Sequence, residues 1–352
     1  MGGAIVKRLV IVAIGLALVV GGIVGGPFAT QNFAVAQGQR YYDEIFTSST
    51  VTTDIAYGQT LDHDGNPVTL YLDLYQPTGD TELSRPAYVW VHGGAFIMGD
   101  KGDSTDVMVA DRFAKRGYVT VSINYRLRPG HYMPWGSQAL IDAWYDAQHD
   151  AQAAVRWLRA NADTYGIDAG RIAIGGYSAG AMTSVNVGYN SSDPGDSGNP
   201  GYPSTVSSIV DVSGAVADTA LMEAGEPPVL IVHGSADTIV PYFHATDIVT
   251  RAQAVGIPFE LHTLEGVSHF VWDTYTEQII GWMSDFLFTY LAPQQPTPTP
   301  TPAAVGGIAE FPDLASKGGS GVGGAYAVLG AVGAVLAITV AGTVSAKKRG
   351  GR

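Results

Sequence analysis

Residues 171–185 read Arg-Ile-Ala-Ile-Gly-Gly-Tyr-Ser-Ala-Gly-Ala-Met-Thr-Ser-Val, an apolar strand pattern that passes through glycines into a helix-compatible stretch. Ser178 lies at the centre of a Gly-x-Ser-x-Gly pattern, which predicts the strained strand-to-helix turn called a nucleophile elbow. Glycines are needed on both sides because larger side chains would collide with the neighbouring strand and helix. Such a turn exposes the serine hydroxyl beside the free N–H groups of a helix N-terminus, which favour developing negative charge.

Three further groups of polar residues each follow an apolar strand pattern. The His-Gly-Gly-Ala-Phe sequence at 92–96 follows one such strand, and two later strands lead to Asp237 and His269. Ser178, Asp237 and His269 therefore occur in the order Ser, Asp, His, each just beyond the end of a predicted strand. This is the chain order of α/β-hydrolases, and it differs from the orders used by two other serine-protease folds.

Several motifs accompany the elbow in a fixed order. They are the His-Gly-Gly-Ala-Phe loop at 92–96, Ser-Ile-Asn-Tyr-Arg-Leu at 122–127, Asp-Ala-Gln-Ala-Ala-Val-Arg-Trp-Leu at 150–158, Tyr-Gly-Ile-Asp at 165–168 and Asp-Thr-Ile-Val-Pro at 237–241. With the elbow, this set resembles the α/β-hydrolase carboxylesterase family over residues 41–291. The resemblance is to its feruloyl- and acetyl-esterase-like members, which are related to the hormone-sensitive-lipase type. One departure is Ala95, where many relatives carry a third glycine, and it bears on loop geometry alone because alanine keeps the backbone donor.

The resemblance implies a two-step acyl transfer with Ser178 as nucleophile. His269 would accept the serine proton and return it to the leaving alcohol, while Asp237 holds the imidazole in the required tautomer. The resemblance also implies an oxyanion hole, formed by the backbone N–H groups of Gly94, Ala95 and Ala179. It implies no cofactor and no metal.

The sequence leaves rivals to two members of this triad. Asp211 also follows an apolar strand, and some α/β-hydrolases take their acid from that position; the Asp-Thr-Ile-Val-Pro pattern favours Asp237. His262 and His244 are the rivals of His269, but His262 falls inside a predicted strand.

Two other histidines have structural interpretations. His92 heads the glycine loop and is expected to orient that loop. His63 lies in Asp-His-Asp-Gly-Asn at 62–66, which faintly resembles a calcium loop, although Asp-Gly between alternating strands is the stronger signal for a hairpin.

The length of the central segment suits one large α/β domain. We expect residues 41–292 to form an α/β-hydrolase fold, with a mostly parallel eight-stranded sheet and helices on both faces. An antiparallel hairpin over about 51–75 would open the sheet. Apolar residues at helical spacing over 140–162 predict a helix that packs on it.

The two ends of the chain predict export. Residues 1–36 carry Lys7 and Arg8 ahead of an apolar run at 9–26 and a small-x-small pattern at 34–36, as in a signal peptide; an uncleaved N-terminal anchor is the alternative. The chain has no cysteine, which an oxidising compartment tolerates. The catalytic domain is therefore expected outside the cell.

The C-terminal end predicts attachment to the membrane. Residues 293–324 form a Pro/Thr- and Gly-rich linker, 325–346 an apolar segment long enough to cross a bilayer, and 347–352 a basic tail expected in the cytoplasm. The hydrolase would then stand at the extracellular face of the cell membrane.

The formal net charge of −13 disfavours nucleic acid as a partner. The sequence predicts a surface-anchored serine esterase for short-chain or polysaccharide-linked esters, with an open cleft whose walls include Tyr132, Met133 and Trp135. One alternative is a serine peptidase of prolyl-oligopeptidase type, whose large propeller would not fit in the residues ahead of the first strands. The other is a non-catalytic binding module, which a complete triad disfavours.

Overall fold

The computed structural model describes residues 38–131 and 133–292. Its strands are β1 Ser49–Leu61, β2 Pro67–Pro77, β3 Arg85–Val91, β4 Val119–Ile123, β5 Ile167–Tyr177, β6 Ser208–Val212, β7 Val229–Gly234 and β8 Phe259–Leu264. Its helices are α1 Ser104–Lys115, α2 Gln138–Ala160, α3 Ala162–Tyr165, α4 Ala179–Tyr189, α5 Phe243–Val255 and α6 Trp272–Leu291, with a short 3₁₀ turn at Thr219–Leu221.

The eight strands form one sheet in the order β1-β2-β4-β3-β5-β6-β7-β8. β1 pairs antiparallel with β2, and β2 antiparallel with β4, while every other neighbouring pair is parallel. The predicted sheet and its opening hairpin are therefore confirmed. Since the strands from β3 to β8 run in one direction, the loops that follow them all emerge at the same edge of the sheet.

Both faces of the central strands β3, β4, β6 and β7 are buried, and β3 shows how its sequence achieves this. Tyr88 and Trp90 belong to an apolar cluster that includes α1 and α6 on one face, and Val89 and Val91 belong to a second cluster that includes α2, α4 and α5 on the other. Alternate side chains of a strand point to opposite faces, so a strand covered by helices on both sides must be apolar throughout. The predicted helix at 140–162 is α2, which begins after Ser137, whose hydroxyl accepts the Leu140 N–H.

A buried ion pair joins two of the motifs noted in the sequence. Arg126, just after β4, donates its backbone N–H to Asp150 of α2 at 2.8 Å and its guanidinium Nη2 at 2.9 Å. The Ser197 hydroxyl donates to the same fully buried carboxylate at 2.6 Å. The pair fixes the loop after β4 to α2. Residues of this loop line two pockets.

The terminal segments predicted at 1–36 and 293–352 lie outside the described residues. Within 38–131 and 133–292, no helix is both long enough and apolar enough to span a bilayer. The polar segment 190–203 contacts α2 and β1 through Gly198, Asn199 and Ser197.

Replacing Asp150 with alanine should destabilise the fold by about 3 kcal/mol, because Arg126 would be left buried without its main partner. Urea unfolding of the Asp150→Ala variant would measure this. Asp142→Ala is the matched control, since Asp142 is exposed on the same helix and its loss should cost less than about 0.5 kcal/mol. Equal unfolding midpoints for the two variants would contradict the structural role of the pair.

Candidate active site

Ser178 lies on the turn between β5 and α4 with φ 55° and ψ −120°, a backbone conformation that residues other than glycine rarely adopt. The turn closes because two neighbours lack side chains. A Cβ on Gly180 would lie 2.0 Å from the Val91 carbonyl oxygen, and one on Gly176 would lie 2.4 Å from the Gly180 backbone. The Ser178 N–H is held by the carbonyl of Val212 in β6 at 2.9 Å. Side chains at Gly176 or Gly180 would therefore collide with the neighbouring strand and helix, as the sequence predicts.

A continuous hydrogen-bond chain links three of the predicted residues. His269 Nε2 lies 2.8 Å from the Ser178 Oγ, and His269 Nδ1 lies 2.7 Å from an oxygen of Asp237. An Nδ1–H that donates to the carboxylate leaves Nε2 as the acceptor of the serine hydroxyl proton. The Tyr177 hydroxyl donates to the His269 carbonyl at 3.0 Å and thus helps to position the loop after β8.

Asp237 follows β7 and is held by its own loop. One carboxylate oxygen accepts the backbone N–H groups of Ile239 at 2.8 Å and Val240 at 3.0 Å. Burial would raise the pKa of Asp237, but hydrogen bonds from His233 and His269 outweigh it and keep the pKa well below its usual range. The carboxylate of Asp237 is therefore ionised at neutral pH.

His233, the fifth residue of β7, lies against Asp237, a contact that no sequence motif predicted. Its side chain is fully buried, and Nε2 donates to the Val240 carbonyl at 2.8 Å while lying 3.3 Å from Asp237. Burial lowers the pKa of His233, but the hydrogen bond to Asp237 and the nearby charge of Asp211 raise it overall. The sequence feature that could have predicted this contact is a histidine four residues ahead of Asp237. Whether such a histidine reaches the acid depends on how tightly the loop between them folds back.

The rival residues lie elsewhere. Asp211 is within β6 and fully buried; it accepts the Gly214 N–H at 2.7 Å, and burial raises its pKa to about 6. His262 stacks on Trp282 with 4.0 Å between ring centroids, and His244 stacks on Trp135. The structure thus brings Asp237 and His269, not these three residues, to Ser178.

The glycine loop after β3 turns sharply beside the serine. Gly94, Ala95 and Phe96 have φ values of 115°, 53° and 63°. The N–H groups of Ile97 and Met98 both donate to the Gly94 carbonyl.

His92 is buried behind this loop, stacks on Tyr125 at 4.4 Å and contacts the Gly93 carbonyl at 2.7 Å through Nδ1. Burial lowers the pKa of His92. These contacts agree with its predicted role in orienting the loop.

Two of the three predicted oxyanion donors border the same pocket as Ser178. Ala95 and Ala179 line that pocket, whereas Gly94 lines a separate cavity with Tyr177. The first hydrogen bond of α4 runs from the Met182 N–H to the Ser178 carbonyl, so the Ala179 N–H has no partner within the helix. The three roles stay predictions.

The pocket beside Ser178 has a volume of about 180 Å³ and is mainly apolar. Met133 and Trp135 line it as the sequence suggested, whereas Tyr132 lies outside the described residues. The Trp135 indole N–H donates to the Ile239 carbonyl at 3.0 Å, which joins the loop after β4 to the loop of the acid. The other walls come from the glycine loop, α2 and α4. In the part of the chain that the structure describes, no group of His, Asp and Glu is arranged to hold a metal ion.

Comparisons with known proteins agree with this fold. The BD-FAE family profile matches residues 72–224, and the prolyl oligopeptidase family profile matches residues 206–294. The fold resembles a propionate-bound esterase from Thermogutta terrifontis, with TM-score 0.58 and 22% identity over 70% of this chain and 97% of the other. The chain has an α/β-hydrolase fold. The resemblance inferred from the sequence motifs is confirmed.

Two further proteins that this chain resembles are esterases by name. A truncated carbohydrate esterase from gut microbiota has TM-score 0.55 and 22% identity over 70% of this chain and 98% of its own. Esterase LipC of Mycobacterium tuberculosis is 27% identical over 222 residues, which cover 52% of this chain and 52% of LipC. The chain thus spans about half the length of that curated relative.

The choice of acid can be tested by one substitution at two positions. Asp237→Asn should lower kcat for an activated ester by about 10⁴-fold, because the amide no longer selects the His269 tautomer or stabilises its cation. Asp211→Asn, the matched control, should stay within a few-fold of the parent. Hydrolysis of p-nitrophenyl acetate measures both, and the reverse order of activities would make Asp211 the acid.

Asp211 should also make stability depend on pH. Its folded-state pKa of about 6 lies above the value of about 3.9 in an unfolded chain. The stability that its neutral form contributes is therefore complete below about pH 4 and lost as the pH rises through about 6. Asp211→Asn should avoid that loss, so its stability relative to the parent should rise by about 2–3 kcal/mol between pH 4 and pH 8. Urea unfolding at both pH values tests this, and an Asp211→Asn effect that is equal at both would contradict it.

Proposed function

We propose that this chain is a serine carboxylesterase that works through an acyl-enzyme intermediate. The observation that carries the proposal is the hydrogen-bond chain from Asp237 through His269 to Ser178, which ends beside an apolar pocket. The base lies within hydrogen-bond distance of both the nucleophile and the orienting carboxylate, as this chemistry requires.

Each step follows from the positions of these groups. The Ser178 Oγ attacks the ester carbonyl carbon as its proton passes to His269 Nε2, and Asp237 stabilises the imidazolium that forms. The tetrahedral oxyanion points to the N–H groups of Ala95 and Ala179, each worth about 3 kcal/mol to the transition state. His269 then protonates the departing alcohol. Water repeats the sequence with the acyl-enzyme and releases the acid.

Esterase activity is better supported than peptidase activity. The BD-FAE match, at 72–224, contains the glycine loop and Ser178. The prolyl oligopeptidase match, at 206–294, contains Asp237 and His269 but not the serine. Both kinds of enzyme share an acid and a histidine in this order, so the segment around the nucleophile discriminates between them.

The pocket volume supports a short acyl group. About 180 Å³ is below the range of about 300–1,000 Å³ that is usual for drug-sized ligands. The pocket is lined by Phe96, Leu140 and Met182. Trp135 also lines it and is hydrogen-bonded to Ile239, in the loop that carries Asp237. The propionate bound to the Thermogutta esterase and the name of the carbohydrate esterase relative favour short acyl groups carried on simple alcohols or on polysaccharides.

The proposed site of action is the extracellular face of the cell membrane. The support comes from the sequence: a signal-like segment at 1–36, a Pro/Thr-rich linker, and an apolar segment at 325–346 followed by a basic tail. An enzyme held there would meet esters outside the cell.

The test is a p-nitrophenyl ester series from acetate to decanoate, together with labelling by a fluorophosphonate. The parent should prefer acyl chains of up to about four carbons, because each methylene that fits or fails to fit changes kcat/KM by about tenfold or more. Trp135→Ala opens one wall of the pocket and should shift the preference towards longer chains.

Two serine variants complete this test. Ser178→Ala should abolish labelling and lower kcat by about 10⁶-fold, whereas Ser191→Ala, at an exposed serine, should leave both unchanged. No labelling of the folded parent would overturn the proposed function. A parent preference for decanoate would overturn the short-chain assignment alone.

A further inference from the structure

A second and larger cleft opens beside the acyl pocket. It lies between the β1–β2 turn and the loop that follows β4, with a volume of about 540 Å³. We call it the hairpin cleft. Its lining includes the charged and aromatic side chains of Asp62, His63, Asp64, Tyr71, Arg126 and His131.

The hairpin cleft faces the same edge of the sheet as Ser178. Leu72 of β2 pairs with Ile123 at the end of β4, so the first residues of β2 and the turn before them project beyond that edge. In the order β2-β4-β3-β5, the cleft lies two to three strand spacings from β5, or about 10–14 Å. Ser178 follows β5 directly. A molecule lying along the edge of the sheet can therefore reach both the serine and the cleft.

Aromatic rings form part of the cleft surface. Tyr71 is 40% exposed between the buried Leu70 and Leu72, because successive strand residues face opposite sides. The rings of His63 and His131 meet edge to face with 4.8 Å between centroids. His63 comes from the hairpin and His131 from the facing loop, so this contact joins the two walls.

The charges of the cleft disfavour an anionic ligand. Arg126 is already paired with Asp150 at 2.9 Å and Asp146 at 3.3 Å. The Asp62 carboxylate accepts N–H groups within its own turn, while the Asp64 side chain is 70% exposed. These carboxylates would repel phosphate or carboxylate groups, but they readily accept hydrogen bonds from hydroxyl groups.

Aromatic faces beside exposed hydrogen-bond acceptors suit a neutral, hydroxyl-rich ligand with apolar C–H faces. Sugars have this chemistry. The loop after β4 contributes Met133 and Trp135 to the acyl pocket, and Arg126 and His131 to the hairpin cleft. A glycan ester could thus place its acyl group on one side of this loop and its sugars on the other.

We propose that the hairpin cleft is a subsite for the sugar residues of an acylated glycan whose ester bond lies at Ser178. The inference rests on the proposed esterase function and specifies its alcohol side. Tyr71 stacks on a sugar ring, and Asp64 accepts sugar hydroxyls. Binding there raises kcat/KM for glycan esters and leaves small esters unaffected.

The experiment compares the full-length parent with Tyr71→Ala and His131→Ala on acetylated xylo-oligosaccharides and on p-nitrophenyl acetate. The matched control is Tyr202→Ala. Tyr202 is 46% exposed and precedes β6, so it lies towards the opposite edge of the sheet. Tyr71→Ala should lower kcat/KM on the oligosaccharide ester by about tenfold, the loss expected for one aromatic contact. Its rate on p-nitrophenyl acetate and both rates of the control should stay within twofold of the parent.

A binding titration separates this inference from the proposed function. Unacetylated xylohexaose is titrated into full-length Ser178→Ala, with and without Tyr71→Ala, so no turnover is needed. Binding that is lost with Tyr71→Ala supports the subsite even if the parent hydrolyses no ester. Oligosaccharide kinetics and binding that Tyr71→Ala leaves unchanged would overturn it. Equal losses on both esters, with binding of the oligosaccharide unchanged, would also overturn it, because Tyr71 would then have no role specific to the sugar.

Discussion

The close approach of α4 to β3 is the contact on which the site depends. Gly180 packs against the Val91 carbonyl with no room for a Cβ, and Gly176 is equally confined by the start of the helix. This approach holds Ser178 at a positive φ and places both Ser178 and Ala179 at the wall of the same pocket. One steric condition therefore sets the position of the serine and of the residue that follows it.

Two buried carboxylates near this edge show how local hydrogen bonding separates similar residues. Asp237 accepts backbone N–H groups from its own loop and lies against His233 and His269, which hold its pKa well below the usual range. Asp211 has a single backbone donor, from Gly214, and burial raises its pKa. Desolvation penalises both charges, and only Asp237 has enough partners to offset it. His233 is not one of the three residues of the predicted triad, but its contact with Asp237 stabilises the ionised carboxylate.

The loop after β4 divides the edge of the sheet into two compartments. Its start is held on α2 by Arg126 and Asp150, and its later part reaches the acid loop through the Trp135 indole. A small apolar pocket lies on one side and a larger polar and aromatic cleft on the other. An esterase with this arrangement would recognise the acid and the alcohol of its substrate with separate surfaces, so either specificity could change without moving Ser178.

The sequence by itself determined the strand-to-helix turn at Ser178 and the order of Ser, Asp and His, because strand periodicity and glycine turns are local properties of the chain. The eight-stranded sheet followed from the resemblance of its ordered motifs to a known family. The Asp-Thr-Ile-Val-Pro sequence at 237–241 also favoured Asp237 over Asp211, although it did not show which carboxylate contacts His269. The tertiary structure decided which side chains meet. His233 reaches the acid because its loop folds back, Gly94 falls outside the pocket that Ala95 borders, and the hairpin cleft joins residues of β2 to a loop about 60 positions later. Such contacts depend on the packing of distant segments, which no local pattern records.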